Sequence, residues 1–259
     1  MTTAARENRT AAASTSSALG PLLFLAAVGG LCWAVTVARM HGMDMGPGTD
    51  LGALGWFAVV WVTMMAAMML PSLSPMAIAY SRSGGGRQAR SVVGTGVFAA
   101  GYLLPWAAFG VLAWALIEGV RSLDLGVLAW GRAGQYAVAV VILGAALYEL
   151  SAAKGRCLTH CRDARLLRRR PGAGGALLMG IEQGGFCVGC SGALMAALFA
   201  LGVMGVAWML LIAALVAIEK LLPWTAITIG VTAAVLALIG VAIAVAPDHV
   251  PWLTTPMSM

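Results

Sequence analysis

Long apolar runs dominate this sequence and restrict its possible folds more than any other feature. Seven runs lie at about residues 20–38, 52–79, 92–118, 134–150, 176–201, 205–219 and 225–246. Lipid offers the backbone no hydrogen-bond partners, so spanning segments must be α-helices or the strands of a closed barrel. Barrel strands are about 10 residues long and alternate in polarity, whereas these runs are longer and apolar on all sides. The sequence therefore predicts an all-α, polytopic transmembrane helix bundle of about seven spans.

The charge content supports the same fold class. Asp, Glu, Lys and Arg make up 10% of the 259 residues, whereas soluble domains carry roughly 25%. So few charges cannot cover a water-facing surface. The net charge of +6 lies mainly beside the apolar runs, where membrane orientation explains it. We therefore expect the membrane as a partner and do not expect nucleic acid.

The distribution of basic residues predicts the orientation. With the N-terminus inside, 13 of the 16 Lys and Arg residues lie on the cytoplasmic side, and the other 3 are Arg39, Arg121 and Arg132. Such a bias is the usual signature of cytoplasmic loops. We expect a bacterial inner-membrane protein with a disordered cytoplasmic leader (residues 1–18), one transmembrane domain (19–247) and a tail (248–259). The first run exceeds a signal-peptide core of about 7–15 residues, so we interpret it as a retained helix.

Two runs contain features that disturb a simple span. Pro71 and Pro75 lack backbone N–H donors, so they predict a break in helix two. The hydroxyls of Ser72 and Ser74 can donate to the carbonyls that the break leaves free. The fifth run is polar and glycine-rich at its centre, so it either spans the membrane or re-enters it. Glycines four residues apart, at 180 and 184 and at 185 and 189, predict close helix packing.

Methionine-rich segments provide two candidate metal sites. The segment HGMDMG follows helix one, and MMAAMM lies within helix two, where residues four apart share a face. Thioether and imidazole ligands favour Cu(I). The alternatives are a polar turn for the first segment and ordinary apolar packing for the second. The candidate ligands are His41, Met43, Met45, Met64, Met65, Met68 and Met69.

Cysteines provide two further candidates. CLTHC places Cys157, His160 and Cys161 in a basic segment, where neighbouring cations favour the thiolate that binds metal. The alternative is two free cytosolic thiols.

EQGGFCVGC places Cys187 and Cys190 on one face of the fifth run, with Glu182 as an ionisable group inside a span. The alternative is a snorkelling glutamate and two small apolar cysteines. We interpret Glu149, Glu219 and Lys220 mostly as interfacial anchors.

Three segments in this order resemble a bacterial family known as predicted metal-binding integral membrane proteins, some of them labelled copper chaperones. The segments are MMAAMMLPS at 64–72, K-x-x-C-L-x-x-C-R at 154–162, and CVGC at 187–190, which leads to Glu219-Lys220. The resemblance covers about residues 50–225 and implies metal binding. The family pattern in many relatives has another Cys directly after the C-x-x-C and a basic or His residue just upstream, where this chain has Ser191 and Glu182-Gln183.

The donor series predicts an integral membrane protein that handles a metal ion, most consistent with copper(I). A soluble metal carrier or a metalloprotein client is the expected partner, and a homo-oligomer is compatible with the sequence. We expect no enzymatic activity. The alternatives are a membrane thiol–disulfide oxidoreductase and a non-catalytic membrane assembly subunit.

Overall fold

A computed structural model describes residues 3–40, 53–82, 92–122, 132–166, 170–202, 205–222 and 224–245. Every regular element within these ranges is helical, which confirms the predicted all-α class. The helices are α1 (Thr3–Met40), α2 (Leu54–Arg82), α3 (Val92–Ser122), α4 (Arg132–Glu149), α5 (Ala152–Arg162), α6 (Gly172–Leu201), α7 (Val206–Leu221) and α8 (Thr225–Val245). A single 3₁₀ turn, Ala164–Leu166, follows α5.

Five of the described helices are long and apolar enough to cross a membrane. Their apolar portions are Leu19–Arg39, Leu54–Tyr80, Val92–Val120, Gly172–Leu201 and Thr225–Val245. A sixth candidate is the pair α4 and α5, which meet at a bend of 66°. The predicted seventh span is not confirmed, because α7 has 16 residues and a helix of that length extends only about 24 Å.

Helix α6 runs without interruption through the fifth apolar run. It has 30 residues and contains the glycine-rich centre that raised the alternative of a re-entrant segment. At the other end of the chain, α1 begins at Thr3, within the segment that the sequence predicted to be a leader. That segment is rich in alanine, which favours helix more than any other residue.

The predicted break of helix two is not confirmed, because α2 continues through both prolines for 29 residues. A serine hydroxyl compensates for the backbone donor that Pro75 lacks. Ser74 Oγ donates to the carbonyl of Pro71 at 2.7 Å, and this is the acceptor that Pro75, lacking an N–H, cannot reach. Ser72 Oγ donates to the Met69 carbonyl at 2.8 Å.

Glycines bring α3 and α6 into close contact. A Cβ on Gly180 would collide with the backbone oxygen of Phe98, and a Cβ on Gly184 would collide with that of Tyr102. The predicted small-residue packing is therefore confirmed at these two positions. Gly101 of α3 lies opposite Gly180 of α6. Because α3 and α6 lie so close together, the Tyr102 side chain of α3 reaches Cys187 of α6. Helix α6 also packs against α4, α5 and α7.

Candidate metal centre

Three cysteine thiols from two helices meet in the interior. Cys187 and Cys190 lie one turn apart on α6, and Cys161 lies in the last turn of α5. The sulphur atoms of Cys161 and Cys190 are 3.4 Å apart, and Cys190 Sγ contacts the Cys187 carbonyl at 3.3 Å. Cys187 and Cys190 are fully buried and Cys161 is nearly so. All three are free thiols.

The position of Cys161 depends on how α5 folds back from α4. Ser151 caps α5, its hydroxyl accepting the backbone N–H of Lys154 at 3.2 Å. At the other end, Gln183 Nε2 of α6 donates to the carbonyl of Cys161 at 3.3 Å, so a last-turn carbonyl finds a partner. The segment that the sequence placed in a basic loop is therefore a helix docked on α6.

Cys187 is the thiol with two hydrogen-bond donors directed at its sulphur. The Tyr102 hydroxyl of α3 lies 2.9 Å from Cys187 Sγ, and the Lys220 ammonium of α7 also lies 2.9 Å from it. Lys220 Nζ contacts two groups of α2 as well, Ser72 Oγ at 3.4 Å and Met69 Sδ at 3.9 Å. Two donors on one sulphur suit a thiolate, since a thiolate only accepts hydrogen bonds.

An acidic cluster lies beside the thiols. Lys154 of α5 forms ion pairs with Glu149 of α4 and with Glu219 of α7, the latter at 2.7 Å, and all three side chains are buried. Within the described part of the chain, Oε1 of Glu149 and Oε1 of Glu219 have no hydrogen-bond partner. The interpretation of Glu149 and Glu219 as interfacial anchors is therefore wrong, because both carboxylates are buried beside Lys154. Lys220 is half-buried, and its ammonium contacts Cys187.

Of the four methionines of MMAAMM, Met69 is the one whose sulphur contacts Lys220. Met64, Met65 and Met68 are equally buried within the core, which is consistent with the packing alternative for them.

The remaining predicted ligands differ in position. Cys157 is half-buried against Gly189, where a Cβ would lie 2.7 Å from its sulphur. His160 stacks on Phe186 with ring centroids 4.3 Å apart. Glu182 lies 3.9 Å from the Arg170 guanidinium, with both side chains more than one-third exposed. His41, Met43 and Met45 lie outside the described residues.

Sequence reasoning missed Tyr102 and misassigned Lys220. Nothing distinguishes Tyr102 from other aromatic residues in its run. Lys220 had a signal, because Glu219-Lys220 is an ionic pair at the end of an apolar run and belongs to the pattern that the resemblance rests on. Ser191, which directly follows the C-x-x-C segment, places its hydroxyl 3.3 Å from Cys190 Sγ.

The described helices fit a multi-pass membrane protein with a buried cluster of soft sulphur donors. The model of a family described as copper chaperone matches residues 58–243. This match covers most of the chain, and the chain belongs to that family. No curated protein and no solved structure matches it significantly. Among the described residues, no group of three or more His, Cys, Asp and Glu side chains is arranged to hold a metal ion.

Proposed function

We propose that this protein binds Cu(I) as cargo within the membrane and passes it to a soluble carrier or a metalloprotein client. The observation that carries the proposal is the meeting of Cys161 and Cys190 at 3.4 Å, with Cys187 one turn away on the same helix. Membership of the copper chaperone family supports the metal. In this proposal the N-terminus is cytoplasmic, the membrane is a bacterial inner membrane, and the protein catalyses no reaction.

The donor chemistry fits Cu(I) better than harder ions. Thiolate and thioether ligands select Cu(I) among the common metals, and Met69 adds a thioether at the edge of the thiol cluster. Cu(I) accepts few ligands, so two thiolates and a thioether suffice. The harder groups nearby, Glu149 and Glu219, are paired with Lys154. We propose that the principal ligands are drawn from Cys161, Cys187, Cys190 and Met69.

The direct test is copper analysis of purified, reduced protein in detergent. The wild type is expected to bind Cu(I), and the double variant Cys187→Ser/Cys190→Ser is expected to lose it. Cys32→Ser is the matched control, because Cys32 lies on α1 and is half-buried there. The proposal is refuted if the double variant retains copper. It is also refuted if the reduced wild type contains no copper after loading.

Thiol–disulfide exchange is the second candidate function. The sulphurs of Cys161 and Cys190 are 3.4 Å apart, and a disulfide needs about 2.05 Å, so a small shift would allow the bond. Mass spectrometry after equilibration in thiol–disulfide buffers tests this. A disulfide between Cys161 and Cys190 that forms at ordinary cellular potentials would favour this candidate. Thiols that stay reduced under such conditions would exclude it.

A further inference from the structure

We propose that Lys220 is a charge filter that makes the thiol site selective for a monovalent cation over a divalent one. This inference deepens the proposed function and rests on it. Lys220 is the cationic side chain in contact with the thiol cluster, 2.9 Å from Cys187 Sγ. An ion that binds this sulphur shares it with the ammonium. The fixed positive charge at that position therefore acts on every metal ion that competes for Cys187.

The geometry around Lys220 Nζ is that of a bound ammonium. Such a group has three donors and no acceptor. Its described neighbours are three acceptors from two helices: Cys187 Sγ at 2.9 Å, Ser72 Oγ at 3.4 Å and Met69 Sδ at 3.9 Å. Since the serine hydroxyl and the methionine sulphur of α2 hold it from one side and the Cys187 sulphur of α6 from the other, the charge has a fixed position at the site.

The nearest carboxylates are engaged with another cation. Glu219 precedes Lys220 in α7, yet its described ion pair is with Lys154, which also pairs with Glu149. Lys220 therefore faces sulphur, and its charge is balanced there by the Cys187 thiolate. When a monovalent ion binds and one further thiol ionises, the net charge of the site stays at zero. A divalent ion leaves an excess positive charge unless the third thiol also ionises, and buried excess charge is costly.

Direct repulsion acts in the same direction. The Coulomb energy between Lys220 and a bound ion is proportional to the charge of that ion, so it is twice as large for a divalent ion as for a monovalent ion at the same position. Low dielectric in the membrane interior enlarges the difference. Both kinds of ion displace the same proton or hydrogen bonds from Cys187. Removing Lys220 changes the cost of this displacement equally for both ions, so that cost cancels in the ratio of their affinities. A change in the ratio therefore measures the repulsion.

Ag(I) and Cd(II) form a matched pair of probes, because both are thiophilic and have the same electron count but differ by one charge. Their dissociation constants are measured by competition with chromophoric chelators on the full chain in detergent. For Lys220→Leu, which removes the charge without adding a sulphur ligand, the Cd(II)-to-Ag(I) affinity ratio is expected to rise by at least about tenfold, which corresponds to about 1.4 kcal/mol. Co(II) charge-transfer absorption gives a second, spectroscopic readout, and it is expected to appear more strongly in Lys220→Leu.

Two control variants separate charge from hydrogen bonding. Lys220→Arg keeps the charge and is expected to keep the wild-type ratio. Tyr102→Phe removes the other donor to Cys187 without changing charge, so it is expected to weaken both ions alike. Lys220→Gln replaces Lys220→Leu if the latter does not yield monodisperse protein. An unchanged ratio in the charge-removing variant would overturn the charge filter while leaving Cu(I) binding intact. Failure of wild type to bind either Cu(I) or Ag(I) would instead overturn the proposed function.

Discussion

The sulphur of Cys161 on α5 lies 3.4 Å from the sulphur of Cys190 on α6. These residues are 29 positions apart in sequence, and the arginine-rich stretch 162–170 lies between them. The contact exists because α5 turns back from α4 at 66° and packs on α6. Three of the metal-binding candidates that appeared separate in sequence, from helices α5, α6 and α2, therefore contribute to one buried cluster of Cys161, Cys187, Cys190 and Met69. This cluster is the first unit to test.

The first prediction concerns the two cysteines of α5. Cys161 meets Cys190, whereas Cys157, one turn earlier, packs on Gly189. Cys161→Ser is expected to weaken Cu(I) binding by at least about tenfold, or about 1.4 kcal/mol, because it removes a ligand. Cys157→Ser serves as the matched control and is expected to change the affinity much less. Competition with a Cu(I)-specific chromophoric chelator measures both. Equal losses in the two variants would contradict the assignment of Cys161.

The second prediction concerns the thioether of Met69. Its sulphur lies 3.9 Å from Lys220 Nζ, beside the thiols, while Met64 is buried one to two turns away on the same helix. Replacing either with leucine nearly conserves volume, and such changes usually cost less than about 1.5 kcal/mol in stability. Met69→Leu is expected to lower Cu(I) affinity, and Met64→Leu is not. Sulphur ligation is checked by X-ray absorption at the copper edge, where an unaltered spectrum in Met69→Leu would exclude this ligand.

Hydropathy was sufficient to predict the helices but not the site. Each long apolar run appears as a helix, because backbone hydrogen bonding in lipid leaves few alternatives. The role of α5 could not be read from composition. Its residues Lys154, Arg156 and Arg162 predict a solvated loop, yet Lys154 is buried between two glutamates. The three charges compensate one another only when α4, α5 and α7 meet, and that meeting is a property of the tertiary fold.

The donors could be predicted as residue types but not as partners. Cys187 and Cys190 were identifiable because thiols beside glycines in a span are unusual. Their neighbours Tyr102 and Lys220 come from helices far apart in sequence. Tyr102 carries no local motif, and the Glu219-Lys220 pair is a local signal that does not point to Cys187 as its partner. The predicted proline break illustrates the same limit. Ser72 and Ser74 follow local rules and donate to carbonyls as expected, and α2 remains continuous through both prolines.

The third prediction concerns the glycines that bring α3 against α6. A Cβ on Gly184 would meet the Tyr102 backbone and lie 3.1 Å from Pro105 Cγ, whereas a Cβ on Gly185 would meet nothing within 4 Å. Gly184→Ala is therefore expected to destabilise the bundle by about 1–3 kcal/mol through overpacking. Gly185→Ala, the adjacent control, is expected to be neutral or slightly stabilising, since alanine favours helix. Thermal unfolding in detergent measures both, and equal melting temperatures would contradict the close approach.

The fourth prediction concerns the buried ionic cluster. Lys154→Met leaves Glu149 and Glu219 facing each other without their common cation in a region where both are about 1% exposed. Removing one partner of a buried ion pair typically costs about 3–5 kcal/mol, so this variant is expected to unfold at a much lower temperature than wild type. The triple variant Lys154→Met/Glu149→Gln/Glu219→Gln removes all the charges and is expected to recover most of the lost stability.

The comparison of the single and triple variants distinguishes charge from packing. If the Lys154 side chain mattered mainly as apolar volume, methionine would replace it at little cost and the glutamine substitutions would add nothing. Recovery in the triple variant would instead show that unpaired carboxylates cause the loss. Because α5 carries both Lys154 and Cys161, the single variant is also expected to weaken Cu(I) binding, and the triple variant to restore it. Copper affinity that stays low after stability recovers would mean that the ionic cluster contributes to the site beyond holding α5 in place.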